Sequence, residues 1–146
     1  MTRPRAEHGS ALVEVTWLTL LLLVPLVYFV LSVFDVQRAA FGTSAAARAA
    51  GRAYVLSPDQ QTAHQRALEA ASVALRDQGL DLSAADLRIS CEPSASACLQ
   101  PGSVVTVSLD VEVALPLMPD VFAGQPPSIR VGSEHRAPYG TFREAR

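Results

Sequence analysis

The chain has 146 residues and a formal net charge of −2. That length suffices for one membrane helix and one small domain. The small negative charge excludes a nucleic-acid-binding surface or a polybasic membrane tether as the main device of the molecule. All 12 basic residues are arginine; lysine and asparagine are missing and alanine is abundant, the bias of GC-rich bacterial coding.

In chain order, Met1 to Gly9 is a short polar leader with Pro4, Arg3 and Arg5, too poor in apolar residues to fold alone. From Val15 to Phe34 there are 20 residues without a charge. At about 1.5 Å of rise each they cover about 30 Å, the thickness of a bilayer's hydrocarbon core. Only Thr16, Thr19 and Ser32 interrupt the run, so it has no polar face of the kind a soluble amphipathic helix shows. Pro25 lies mid-run, a residue tolerated in membrane helices. The run exceeds the roughly 7–15 apolar residues of a secretory signal, and Asp35 to Ala40 makes a poor cleavage site for one. Arg3 and Arg5 precede it, which places the N-terminus in the cytoplasm and the rest outside by the positive-inside rule. Trp17 fits an interfacial anchor near the cytoplasmic end, and Tyr28 lies within the run. Glu14 is the exception. It places a carboxylate at the edge of the apolar run, where charge costs free energy and points to function.

Gly9, Ser10 and Glu14 form the string Gly-Ser-x-x-x-Glu abutting the apolar helix. This resembles the processing site of type IV prepilins, and GSALVEVTWLTLLLLVPLV is most similar to the TadE/TadG type of tight-adherence pilus assembly proteins, the minor pseudopilins. The resemblance implies that a prepilin peptidase cuts between Gly9 and Ser10. Glu14 would then be the fifth residue of the mature chain and would act in assembly by pairing with the N-terminal amine of an adjacent subunit. Major pilins of these systems usually carry an aromatic after the Glu and are much shorter. Here Val15 follows and about a hundred residues lie beyond the membrane, which implies a minor or accessory subunit.

Asp35 to Leu56 contains no proline and is rich in alanine, so the helix is expected to continue from Ser10 to Leu56. Residues 35–56 read either as a stalk packing on neighbouring subunits or as an alanine-rich helix packing on its own domain. Ser57-Pro58-Asp59-Gln60 is a helix start, with Ser57 as cap, Pro58 at the first position and Gln60 completing a capping box. The second helix is expected to run to Gln78 and stop at Gly79, with an apolar stripe of Ala67, Leu68, Ala71, Ala74 and Leu75. Asp86 to Glu92 alternates, with Leu87, Ile89 and Cys91 on one face. Ser103 to Leu115 alternates from Val105 to Leu115 and reads as a half-buried strand. Pro93 to Gly102 is the turn between them, and Pro116 and Pro119 end the long strand. Met118 to Pro127 reads as a loop. A third strand is expected from Ser128 to His135, with Ile129 and Val131 inward, before an irregular tail from Arg136. The fold class is α+β and pilin-like, with a long transmembrane helix, a second amphipathic helix and a small antiparallel sheet of about three strands. The expected divisions are a leader (1–9), a transmembrane helix (10–34), a helical stalk (35–56) and an extracytoplasmic α+β domain (57–146).

Cys91 and Cys98 bracket six residues in the hairpin turn. A disulfide is expected, because the rival metal site lacks further ligands nearby in sequence. His8, His64 and His135 form no constellation. Glu134 and His135 are adjacent strand residues that point to opposite faces, so they do not make an acid/base pair. Asp110 and Glu112 share the wet face of the long strand. No phosphate loop, nucleophile elbow or zinc motif is present. The sequence therefore points away from an enzyme and names no metal, cofactor, small-molecule substrate or nucleic acid. The expected partners are the membrane, a prepilin peptidase, other pilin or pseudopilin subunits and the pilus assembly machinery. The alternative is a single-pass membrane-anchored protein whose external domain binds something at the cell surface, with no pilus role.

Overall fold

A computed structural model describes residues 10–82, 85–115 and 127–142. The elements are α1 (Ser10–Val55), α2 (Gln60–Arg76), β1 (Ala85–Glu92), β2 (Val104–Ala114) and β3 (Ser128–Pro138). The three strands form one antiparallel sheet in the order β1-β2-β3. This is the expected α+β fold: a long apolar N-terminal helix, a second helix and a three-strand antiparallel sheet. The leader from Met1 to Gly9, with His8, lies outside the described residues, as do Pro116, Pro119 and most of the loop expected over 118–127.

α1 is a single helix of 46 residues, about 69 Å long. Its two halves meet different surroundings. Residues 11–34 are exposed except at Tyr28 and Ser32, which are half-buried. From Ala39 onward one face is sealed: Ala39, Thr43, Ala46, Ala47, Ala50 and Tyr54 are all at most 1% exposed. The Thr43 hydroxyl is satisfied inside the helix, donating to the Ala39 carbonyl oxygen at 3.0 Å. This half packs against α2 on one side and against β2 and β3 on the other. Of the two readings of the alanine-rich segment, its inner face takes the second, packing on its own domain.

Small residues set the spacing. A Cβ at Gly51 would lie 3.1 Å from His135 Cδ2 and 3.3 Å from Ala137 Cβ, so α1 crosses β3 as closely as a helix can. α2 buries Ala63, Ala67, Ala71 and Leu75. The sequence stripe had Leu68 inward and omitted Ala63; instead Leu68 is 42% exposed. Ala63, Ala67 and Ala71, four apart, let the first three turns of α2 lie close to the alanine face of α1, and Leu75 closes the row at its far end.

The start of α2 differs from the expected capping box. Ser57 turns back into α1, its hydroxyl donating to the Ala53 carbonyl oxygen at 2.8 Å. Asp59 is the cap, accepting from the Thr62 backbone N–H and from the Thr62 hydroxyl, both at 2.8 Å. These two hydrogen bonds, the backbone one first, hold the Asp59 carboxyl below its ordinary range. α2 ends at Arg76, two residues before the expected Gln78, and the expected stop at Gly79 is present. Gly79 takes φ +67, Leu80 N–H donates to Leu75 O at 3.0 Å and Gly79 N–H to Arg76 O at 2.9 Å, a left-handed glycine cap.

In the sheet, alternation translates directly into burial. Val105, Val107, Leu109, Val111 and Val113 of β2 are buried, and Leu87, Ile89 and Cys91 of β1 are half-buried on the same side. β3 runs three residues further than expected, to Pro138, and its buried member is Ala137. Ile129, expected inward, is 42% exposed because it lies at the open end of the sheet, beyond the buried stretch of α1. On the outer face Arg130 pairs with Glu112 at 3.1 Å, Arg136 with Glu134 at 3.1 Å, and Arg88 with Asp86. These pairs are exposed and add little stability, on the order of 0–1 kcal/mol each.

Candidate functional site on the N-terminal helix

The helix begins at Ser10, the residue that a cut after Gly9 would make the new N-terminus; Gly9 itself lies outside the described residues. Glu14 sits four residues into the helix, one turn from its start, and is exposed. Val13, Val15, Trp17 and Leu18 around it are exposed as well, between 59% and 68%. A carboxylate is thus set in a continuous apolar helix surface with no ion-pair partner among the described residues.

The threonine and serine hydroxyls along this surface turn back onto the helix. Thr16 donates to Leu12 O at 2.8 Å, Thr19 to Val15 O at 2.7 Å and Ser32 to Tyr28 O at 2.9 Å. Each hydroxyl is satisfied within its own helix, which is what a hydrocarbon surrounding requires. Pro25 is accommodated inside α1 without ending it. α1 is the one helix among the described residues long and apolar enough to cross a membrane, and its apolar stretch is exposed apart from the half-buried Tyr28 and Ser32.

At the far end of the domain Cys91 and Cys98 form a disulfide, with Cα atoms 5.1 Å apart. The turn it closes is tied down on two sides. Gln60 at the start of α2 donates from Nε2 to Ala95 O at 2.9 Å. The Ser103 hydroxyl reaches Cys98 O and Gln100 O, both at 2.8 Å, and Tyr139 N–H donates to Ser103 O at 2.8 Å. The bridge therefore joins the first turn of α2, the hairpin and the end of β3. Closing a loop of eight residues contributes about 2.5 kcal/mol by chain entropy. We expect the double substitution Cys91→Ser, Cys98→Ser to lower domain stability by about that amount, seen as a lower urea midpoint with an unchanged slope.

The remaining residues singled out from sequence do not converge. His64 stacks edge-on against Tyr54, with ring centroids 5.5 Å apart, and burial pushes the Tyr54 phenol above its ordinary range. His135 faces α1 at Gly51, whereas Glu134 is on the outer face with Arg136. Glu112 is occupied by Arg130, and Asp110 stands opposite Gly132. Among the described residues no group of three or more His, Cys, Asp or Glu could hold a metal ion. Sequence reasoning noticed Tyr28 only as an aromatic inside the apolar run. Its apposition to the end of the sheet depends on how α1 crosses the strands, and no local signal carries that. The chain matches no protein-family model, no curated protein and no solved structure, so its functional reading rests on its own residues and geometry.

Proposed function

We propose that this chain is a TadE-like minor pilin or pseudopilin that takes part in assembling a tight-adherence, type IV-like pilus. α1 would anchor it in the inner membrane with the N-terminus cytoplasmic and the α+β domain outside. A prepilin peptidase would cut between Gly9 and Ser10, and Glu14 would then guide docking to other subunits. The carrying observation is the string Gly9-Ser10-x-x-x-Glu14 at the head of an uninterrupted apolar helix that begins at Ser10. Two further features support the orientation. Arg3 and Arg5 lie on the short side of the apolar run, and the Cys91–Cys98 bridge suits an oxidising compartment. The chain's proposed partners are the membrane, the peptidase and other subunits.

The second reading is a single-pass anchor whose domain binds something at the cell surface. It is supported by the core that the second half of α1, α2 and the sheet close among themselves, but a bare anchor gains nothing from Glu14. Deleting the chain from its own host separates the two. The pilus reading expects sheared surface fractions to lose their filaments and to regain them on complementation. Undiminished filaments in the deletion strain would favour the bare anchor.

A further inference from the structure

β1 and β3 are the two edges of the sheet, each with a strand neighbour on one side only among the described residues. An open edge presents unpaired backbone N–H and C=O groups, and proteins commonly blunt it with proline, a bulge or an inward-pointing charge. β1 has none of these, and β3 has proline only at its last residue, Pro138. Leu87, Ile89 and Cys91 on the inner face of β1 are only half-buried, so the core thins toward this edge. β1 is antiparallel to β2 and β2 to β3, so the two edge strands run parallel. They also run in the same sense as α1. Ile129, near the start of β3, lines the same cleft as Val33, whereas His135 and Ala137, near its end, lie at Gly51.

We propose that β1 of one chain pairs in parallel with β3 of a second copy, joining two three-stranded sheets into one. The proposal rests on the reading that α1 spans the bilayer. Two copies in one membrane must then hold α1 in the same sense. Antiparallel pairing of like edges, β1 on β1 or β3 on β3, would turn the second copy's α1 the other way and take its apolar half out of the membrane. Parallel pairing of like edges would keep the helices aligned but put them on opposite faces of the joined sheet. The charged face of one copy would then continue the helix-covered face of the other. Pairing β1 with β3 meets both conditions. It is a head-to-tail contact, which repeats from copy to copy.

Charge selects the register. The apolar run of α1 fixes every copy at one depth, so neighbouring copies stand level. Within a chain Arg88, Ser108 and Glu134 lie in one row across the sheet, and Asp86, Asp110 and Gly132 in another. Level copies therefore set Arg88 beside Glu134 of the second copy, with Asp86 diagonal to its Arg130 and Glu92 diagonal to its Arg136. All six side chains lie on the exposed outer face, and each contact joins opposite charges. A slip of two residues in one sense would instead set Asp86 against Glu134 and Arg88 against Arg136, like against like. Inside one chain Arg88 pairs with Asp86, Arg136 with Glu134 and Arg130 with Glu112, all at exposed positions. Such pairs are weak, and a neighbouring strand can share them.

The test uses the full chain in membrane vesicles from its host. Arg88→Cys and Glu134→Cys are made singly and together, and copper-catalysed oxidation is read on non-reducing gels. Within one chain β2 separates the two positions by about 9.6 Å, beyond disulfide reach. The double variant should give a ladder of dimers and larger species, and each single variant should stay monomeric. Dimers from either single variant would mean that like edges meet, and would overturn the proposal. No ladder from a double variant that resists carbonate extraction overturns it alone, with α1 still in the bilayer. If carbonate strips the chain from the vesicles, the membrane reading fails and takes the proposal with it. A second measurement adds no cysteine. Two differently tagged copies should co-purify from detergent extracts, and Arg88→Glu in both should cut the recovery about fivefold. Adding Glu134→Arg should restore it, because the pair is then reversed and not lost. Unchanged recovery with Arg88→Glu, or no restoration by Glu134→Arg, overturns the proposal.

Discussion

Glu14→Gln should be synthesised, inserted and cleaved, and should then fail to support piliation. If the peptidase cuts after Gly9, an α-amine is created on Ser10 at the edge of the membrane. Glu14 lies four residues along α1, about 6 Å higher, in a surface otherwise composed of exposed apolar side chains. A carboxylate there has two ways to lower its free energy: reaching the headgroup layer, or pairing with a cation in the same poorly solvated zone. The amine of a neighbouring processed subunit is such a cation. Removing one partner of a pair shielded from water costs about 3–5 kcal/mol, a factor of about a hundred to a few thousand in a docking equilibrium. Glutamine preserves size and removes charge, so membrane insertion should be at least as favourable as before. Membrane fractionation beside a surface-shearing assay reads both effects. Normal piliation would sink the pairing, and failure of insertion would instead assign Glu14 to topology.

The second large effect concerns where the folding unit begins. A fragment of residues 57–146 was the domain expected from sequence, yet its sheet would lose the wall supplied by Ala46, Ala47, Ala50 and Tyr54. Val105, Val107, Leu109 and Val111 face that wall and α2. At about 1.5–3 kcal/mol for each fully buried side chain, re-exposing the four forfeits up to about 6–12 kcal/mol. Whole domains are stable by only about 5–15 kcal/mol. We therefore expect residues 57–146 to lack a cooperative unfolding transition and residues 35–146 to show one, as followed by circular dichroism in urea. Equal stability of the two fragments would mean that α2 alone covers the sheet.

That difference shows what the sequence can and cannot carry. Strands announce themselves through contrast: Val105 to Val113 alternate with Thr106, Ser108, Asp110 and Glu112, and the burial pattern follows. The disulfide and the Gly79 stop are likewise local, each fixed by a few residues and a loop length. The apolar run needs only a count. Alanine, by contrast, gives no contrast. Nothing in Ala39 to Ala53 marks which face is buried, so the same segment read equally as a free stalk and as a core helix. Leu68 was misplaced for the same reason, because hydrophobicity ranks leucine above alanine whereas close helix packing prefers alanine. The cap moved from Ser57 to Asp59 because Ser57 has a second option, bonding back to Ala53, which propensity alone does not weigh. At the candidate site, Ser10 and Glu14 were legible from spacing. The apposition of Tyr28 to Leu115 and Ile129 was not, since it arises from how β2 and β3 run along α1.

The central claim, that this is a processed pilin-like subunit, is tested most directly at the N-terminus of the membrane-purified protein. Intact-mass and N-terminal peptide mass spectrometry should find a chain beginning at Ser10 in a host with an active prepilin peptidase, and one retaining Met1 to Gly9 when the peptidase is inactivated. A chain that keeps its first nine residues while the peptidase is active would contradict the account.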